Sequence, residues 1–324
     1  MPRLCANPDA LRHNAATVKA ACEKAGASCL AVFKEAPLYP ALARCIIEGA
    51  GLNKLGTLAW NGLGLDSLGD LRLHHIYAPS ATSPCIGDFD TVYVNSLHVL
   101  HSLHERLAGA RPKLRICLEC GDGRDGFLPE EVPAFCEEAT RLDFPISGLA
   151  LNFACLSSNS PSFNDLEKAG KVLEIVRGFA PDADISAGGT DILELAATER
   201  LPESVREIRC GTGIMLGVYP LSGKPIPGAR QDTFRLEGTV LECRTKQGRR
   251  RALLDFGHFH THCENLAAPL PGMAFVGSSS AYCVYDVTDC GHDIREGHTL
   301  HFGLDYHSLA SALASRALPL EVTP

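Results

Sequence analysis

The sequence predicts an α/β protein, a TIM-type (β/α)8 barrel followed by a smaller all-β domain, and three observations carry that prediction. Short apolar runs alternate with helical patterns through the first two thirds of the chain, the signature of a parallel sheet with helical crossovers. Counted from Ser28–Lys34 there are eight such runs, the number that closes a barrel. After Pro220 the pattern changes: Leu221–Gly228 is rich in Gly and Pro and reads as a linker, and the remainder of the chain is strand-rich. The domains expected are 1–222 and 223–324.

Ser28-Cys29-Leu30-Ala31-Val32-Phe33-Lys34 carries no charge until its final lysine and reads as a buried strand. Lys34 then emerges at the strand's C-terminal end, where barrels of this kind keep their active sites. Further strands are expected at Lys54–Ala59, Leu73–Tyr77, Thr91–Val94, Leu114–Glu119, Ile146–Asn152, Asp184–Ala187 and Glu207–Cys210. Helices fall between them at Leu38–Glu48, Asn61–Leu68, Ser96–Ala108, Glu130–Arg141, Asn164–Gly178 and Asp191–Glu199. In the second domain the strands are Phe234–Arg244, Arg250–Phe256, Ala274–Val276, Tyr282–Val287 and Thr299–Phe302, closed by an amphipathic helix over Ser308–Ala317.

At 324 residues and 45% apolar content the chain can bury a large core. Its net charge of −8 argues against nucleic acid or an anionic membrane surface as partner. No stretch approaches the length of a bilayer span, and the N-terminus has no apolar signal region. The 14 cysteines are scattered singly, mostly inside apolar runs, which fits buried thiols in a reducing cytoplasm better than a disulfide framework. A cytoplasmic protein is expected.

Four features bear on chemistry. Desolvation at a strand end makes an amine such as Lys34 a nucleophile toward a carbonyl, as a Schiff base requires; the plain alternative is a lysine reaching solvent. Gly121-Asp122-Gly123-Arg124-Asp125-Gly126 follows a strand, and Arg124 offers fixed donors to an oxygen-bearing ligand unless it is an ordinary surface arginine. Ser186-Ala187-Gly188-Gly189-Thr190 and Arg209-Cys210-Gly211-Thr212-Gly213 stand at adjacent strand ends and suit a phosphate, although Thr190 also reads as a plain helix cap. His258, His260 and His262 alternate ahead of Cys263, so on a strand they share a face. C-x-x-C and H-x-x-x-H spacings are absent there, and hydrogen-bonded histidines are expected rather than metal ligands.

Taken together these residues resemble the alanine racemase superfamily of fold-type III pyridoxal-phosphate enzymes, closest to its ornithine-racemase-like branch. Ala31-Val32-Phe33-Lys34 is similar to the strand that carries the family's cofactor lysine. Glu119–Gly126 resembles the D-T-G-x-G-R-x-G segment, which would give Arg124 the cofactor's phenolic oxygen. Val205–Gly211 resembles the V-R-x-G segment, which would set Arg209 against the pyridine nitrogen and Gly211 on the phosphate. Phe275–Gly277 and Tyr285–Asp289 resemble the family's strand pair in the β domain, and Tyr306 falls where the family has a phosphate-binding tyrosine. Asn152 stands where alanine racemases have histidine, the form of the ornithine-racemase-like branch. Two segments depart from the pattern: Glu35–Pro40 lacks the family's K-A-x-A-Y-G-H-G run, and the hairpin Cys243–Gly248 is short and lacks the tyrosine that serves as the second base.

The resemblance implies pyridoxal 5'-phosphate on Lys34 with Tyr306 at its phosphate and an amino acid as substrate; the turn of Ser186, Gly188, Gly189 and Thr190, read above as suited to a phosphate, is expected among the cofactor's contacts. The reaction implied is racemisation, by removal and return of the Cα proton from an external aldimine. For the missing second base the candidates are Tyr282 and His258, with Tyr282 preferred. Both lie in segments that the family packs over a cofactor, commonly the partner subunit's, so a homodimer is expected. Ornithine or another basic or small amino acid is the inherited substrate, and Glu35, Asp122, Asp125 and Asp305 are the acids near site segments. The alternatives are a metal-dependent D-amino-acid lyase using His258, His260 or Cys263, and a non-catalytic pyridoxal-phosphate carrier.

Overall fold

Strand β1 (Arg3–Ala6) opens the chain and helix α1 (Pro8–Lys24) follows it. The computed structural model describes residues 1–58, 70–80, 83 and 86–322; the helix expected over Asn61–Leu68 lies outside the described residues. Two compact units are present, Leu11–Ala229 and, separately, Met1–Ala10 with Arg230–Pro324.

The larger unit is a closed barrel of eight parallel strands: β2 (Ser28–Val32), β3 (Lys54–Thr57), β4 (Arg72–His75), β5 (Thr91–Val94), β6 (Lys113–Leu118), β7 (Ile146–Leu151), β8 (Asp184–Gly188) and β9 (Val205–Cys210). Closure comes from β2 against β9, registered from Ser28 opposite Glu207 to Ala31 opposite Cys210. The crossovers carry α2 (Pro40–Ala50), α3 (Leu97–Arg106), α4 (Val132–Arg141), α5 (Phe163–Arg177) and α6 (Asp191–Ala196), and α7 (Thr212–Leu216) follows β9. Local chemistry sets their ends. Ser96 and Ser162 accept from the N–H of Val99 and Asp165 to start α3 and α5. Pro40 begins α2, and Gly51, at φ 57°, stops it in the left-handed region. Leu11, Ala15, Val18 and Cys22 recur at helical spacing along α1 and are fully buried.

The smaller unit is a sheet in the order β12-β13-β11-β10-β1-β15, with β14 also paired to β10. Its strands are β10 (Phe234–Lys246), β11 (Arg249–Leu254), β12 (Ala274–Ser278), β13 (Cys283–Asp286), β14 (Thr299–Phe302) and β15 (Leu320–Val322), with helix α8 (Tyr306–Ser315) before the last. The long strand β10 changes partners at a bulge between Val240 and Glu242: before it lie β1 and β14, after it β11. Phe256, Phe302 and Tyr285 form its aromatic centre, with Phe302 5.2 Å from Phe256 and 5.3 Å from Tyr285 between ring centroids. β10 and β11 meet in a tight turn, Gln247 and Gly248 both at positive φ, so the hairpin has no extension. No described helix is long and apolar enough to cross a membrane. Every cysteine among the described residues is a free thiol.

Candidate active site

Parallel strands share a direction, so their C-terminal ends form one rim, and all eight place a polar group or a glycine turn there. Lys34 stands two residues past β2, and Thr57, the last residue of β3, donates its hydroxyl to the Lys34 carbonyl at 3.2 Å. Tyr77 stands two residues past β4. Lys34 Nζ lies 5.4 Å and Arg124 Cζ 5.7 Å from the centroid of its ring, so both cations address one aromatic ring. Arg124, in the loop after β6, is held by Asp125 at 2.8 Å, and Asn95, just past β5, donates to the other oxygen of Asp125 at 3.3 Å. The glycine loop itself is fixed by Asp122. Burial pulls this carboxyl up, but the N–H groups of Leu156, Ser157 and Cys155 and the Ser157 hydroxyl outweigh it and hold it below the usual range. The loops after β6 and β7 are thereby stapled together.

Arg209 is the most constrained group of the rim. Nη1 donates to the Ser186 carbonyl at 2.6 Å and the Ser186 hydroxyl at 3.0 Å, and Nη2 to the Leu151 carbonyl at 2.5 Å and Asn152 Oδ1 at 2.7 Å. Among the described residues the Nε–H is the one guanidinium donor left without an acceptor. The guanidinium packs against Gly188, where an added Cβ would stand 2.3 Å from Nη2, so only glycine leaves it room. Its Cζ lies 5.3 Å from the ring centroid of buried Tyr93.

Below Arg209 the barrel interior is charged. Glu207 pairs with Lys54 at 2.7 Å. Burial pulls the Glu207 carboxyl up, yet the field of His74, Arg115 and Lys54 outweighs it and holds the pKa at about 2. Burial pushes the His74 imidazole down to about 4, against the pull of Glu207. Arg115 is tied to Asp184, to its carbonyl at 2.9 Å and through an ion pair with its carboxylate.

The two glycine turns adjoin. Thr190 Oγ1 accepts from the Gly213 N–H at 3.1 Å, linking the turn after β8 to that after β9. Gly211 sits against the end of the lysine strand, where a Cβ would come 3.2 Å from the Val32 carbonyl oxygen, whereas a Cβ on Gly189 would meet nothing within 4 Å. A phosphorylated aromatic aldehyde fits this donor set: an amine and two guanidinium groups at one rim, and an open backbone turn at Gly189 beside the packed Gly188 and Gly211. Ser186 differs from expectation. Its hydroxyl is turned into the barrel, where it donates to Glu207 at 2.7 Å, and it holds Arg209 rather than facing a turn.

In the smaller unit the histidines do not form a strand face. Residues 258–260 form a turn after β11, preceded by Gly257, whose missing side chain allows the close approach to the Ser279 carbonyl that a Cβ would meet at 2.3 Å, and the three rings take separate partners. His258 Nε2 meets Ser278 Oγ at 3.0 Å, His260 Nδ1 accepts from the Gly257 N–H at 3.1 Å, and His262 faces Glu264 at 3.4 Å. Among the described residues they do not converge with Cys263 into a ligand set; the sulfurs that do come together, all within 4.8 Å, are those of buried Cys22, Cys29 and Cys210. Tyr282 precedes β13 and is half exposed, and Tyr306 is the first residue of α8.

Of the four acids named from the sequence, Asp122 and Asp125 are occupied as above, and Asp305 caps α8 through the Ser308 N–H at 2.8 Å. Glu35, half-buried beside Lys34, has its carboxyl raised by burial. Tyr77, Tyr93, Lys54 and Glu207 went unnoticed in the sequence. A signal existed for Glu207: along β9 it shares with Arg209 the alternation that turns both inward.

Residues 6–220 match the family model described as alanine racemase, N-terminal domain. The chain is 25% identical to lysine racemase of Thermotoga maritima over 350 residues, covering 97% of this chain and 96% of that one. It is 23% identical to ornithine racemase of Acetoanaerobium sticklandii over 233 residues, covering 64% and 66%. In fold it is similar to D-threo-3-hydroxyaspartate dehydratase from Delftia sp. HT23, at TM-score 0.76 and 14% identity over 100% and 94% of the two chains. It is likewise similar to alanine racemase from Bartonella henselae with covalently bound pyridoxal phosphate, at TM-score 0.72 and 15% identity over 99% of each.

Proposed function

The chain belongs to the alanine racemase N-terminal domain family, and from that premise we propose that it is a pyridoxal 5'-phosphate-dependent amino acid racemase. Arg209 carries the reading: its other donors are spent inside the barrel, leaving a single N–H for an acceptor atom. Lys34 would hold the cofactor, Arg124 its phenolic oxygen, Asn152 would steady Arg209, and the turns at Gly188, Gly189, Thr190 and Gly211 would hold the phosphate together with Tyr306. Bound in this way, the cofactor acidifies the Cα proton of an attached amino acid.

Lys34 then removes or returns that proton on one face. Arg209 is too weak an acid to surrender a proton to the ring nitrogen, which favours return of the proton to Cα over transamination. Inversion needs an acid/base on the other face, and Tyr282, with His258 as the alternative, is assigned there from the subunit of a homodimer. The exposed apolar side chains Phe259, Phe275, Val276 and Tyr282 of the smaller unit support such an assembly. The names of the two relatives favour a basic substrate, and Glu35 is the acid with a carboxyl unspent in loop fastening.

The test is α-proton exchange in heavy water with the loaded protein and a panel of L- and D-lysine, ornithine and alanine. Exchange with interconversion of both enantiomers is expected. Exchange restricted to one enantiomer overturns the racemase reading, and elimination of D-substrates that ceases with a chelator turns it toward a metal-dependent lyase.

A further inference from the structure

Glu207 is 1% exposed, and its two oxygens have different partners: Oε2 takes the Lys54 ammonium at 2.7 Å, and Oε1 accepts the Ser186 hydroxyl at 2.7 Å. A serine hydroxyl has one proton. Once that proton is given to Glu207, the oxygen offers only lone pairs, and it meets Arg209 Nη1 at 3.0 Å and the Tyr93 hydroxyl at 3.4 Å. We propose that Glu207 is a positioning residue for Arg209: by claiming the Ser186 proton it fixes that hydroxyl as an acceptor and so holds the guanidinium with its Nε–H turned to the cofactor. The inference rests on the functional reading above and extends it to a residue that touches neither cofactor nor substrate.

The surroundings keep this arrangement in one state. Lys54, Arg115 and His74 all face Glu207, and the carboxylate stays charged and acceptor-only across the working pH range. A glutamine at this position has one carbonyl oxygen; with that oxygen on Lys54 its amide N–H faces Ser186 and frees the serine proton to turn toward the guanidinium, donor against donor. Asn152 and the carbonyls of Leu151 and Ser186 hold the remaining Arg209 donors, so the serine hydroxyl is the one contact whose polarity is set from a distance.

The test compares wild type, S186A, E207Q, R209K, S186A/E207Q and S186A/R209K. Three quantities are read: the dissociation constant for pyridoxal 5'-phosphate, the visible absorption band of the bound cofactor, and the melting temperature without it. S186A and E207Q are each expected to weaken cofactor binding roughly tenfold and to move the band, the size of one lost hydrogen bond to a charged group. The double variant should be no weaker than the weaker single, because both act through the same bond, and S186A should add nothing once Arg209 is lysine. Melting temperatures that fall while affinity and band stay unchanged, or additive losses, overturn the inference. Should E207Q fail to fold, S186A decides by the same criteria, since losing one hydroxyl leaves the Lys54 pair intact. A wild type that takes up no pyridoxal 5'-phosphate overturns the functional reading and this inference together; a wild type that binds it, with variants indistinguishable from it, overturns this inference alone.

Discussion

Arg209 is 5% exposed and fixed by four hydrogen bonds, whereas Tyr282 is 48% exposed and its phenol has no partner among the described residues. The contrast extends to their surroundings. Groups on the barrel rim come from eight strands and are locked by one another, while His258 and Tyr282 sit on turns of the smaller unit, each side chain with at most one hydrogen bond. A preorganised side is ready for its ligand; an open side acquires its geometry from whatever covers it. The half of the chemistry assigned to the barrel should therefore survive changes in assembly, and the half assigned to Tyr282 should not.

The largest effect that sharpens this contrast is expected from Lys34→Ala, which should abolish cofactor attachment that borohydride can trap and lower turnover by at least about 10³-fold, read by mass spectrometry and α-proton exchange. Tyr282→Phe should lower racemisation roughly 10²-fold while one-faced exchange persists, and dilution below the dissociation constant of the proposed dimer should mimic it. Equal loss of exchange and inversion would place Tyr282 on the same side as Lys34 and break the comparison.

Next comes a pH effect confined to the barrel. The folded pKa of His74 is lowered to about 4, so between pH 6.5 and 4 the unfolded chain binds a proton that the folded chain refuses. Stability should fall on acidification through that window by roughly 3 kcal/mol, and His74→Gln should flatten it in urea titrations. Glu207 acts lower: its pKa is depressed from 4.5 to about 2, so the stability it contributes is present above pH 4.5 and lost as pH falls toward 2. Gly188→Ala should cost about 1–3 kcal/mol and loosen Arg209, because its Cβ meets Nη2 at 2.3 Å, whereas Gly189→Ala should leave the unliganded protein unchanged. The smallest effect expected is from Glu35→Gln: a severalfold loss of preference for lysine and ornithine over alanine in kcat/KM.

Barrel strands were legible because their sequences leave few choices. Thr91–Val94 is β-branched and aromatic throughout and forms the strand expected, to the residue. β1 and α1 were not anticipated: four residues at the chain start show no turn signal, and the partner of Arg3 is Glu237, far along the sequence. Polar periodicity misled at His258–His262, because alternation gives a common face only on a strand and this segment begins with a turn. The rim positions of Lys34, Arg124 and Arg209 were legible because each ends or follows a strand that the sequence marks. The site was not legible where a charged residue lies inside a barrel, since Glu207 and Lys54 read as surface until a closed sheet turns them toward one another.

Strand β1 pairs with β10 on one side and, in parallel, with β15 on the other. All eight barrel strands lie between Arg3 and its partner Glu237 in the sequence, so β1 cannot pair with β10 until that intervening stretch has been synthesised. The barrel pairs only its own strands and does not wait on β10; the smaller unit does, and until then β1 is an open strand edge.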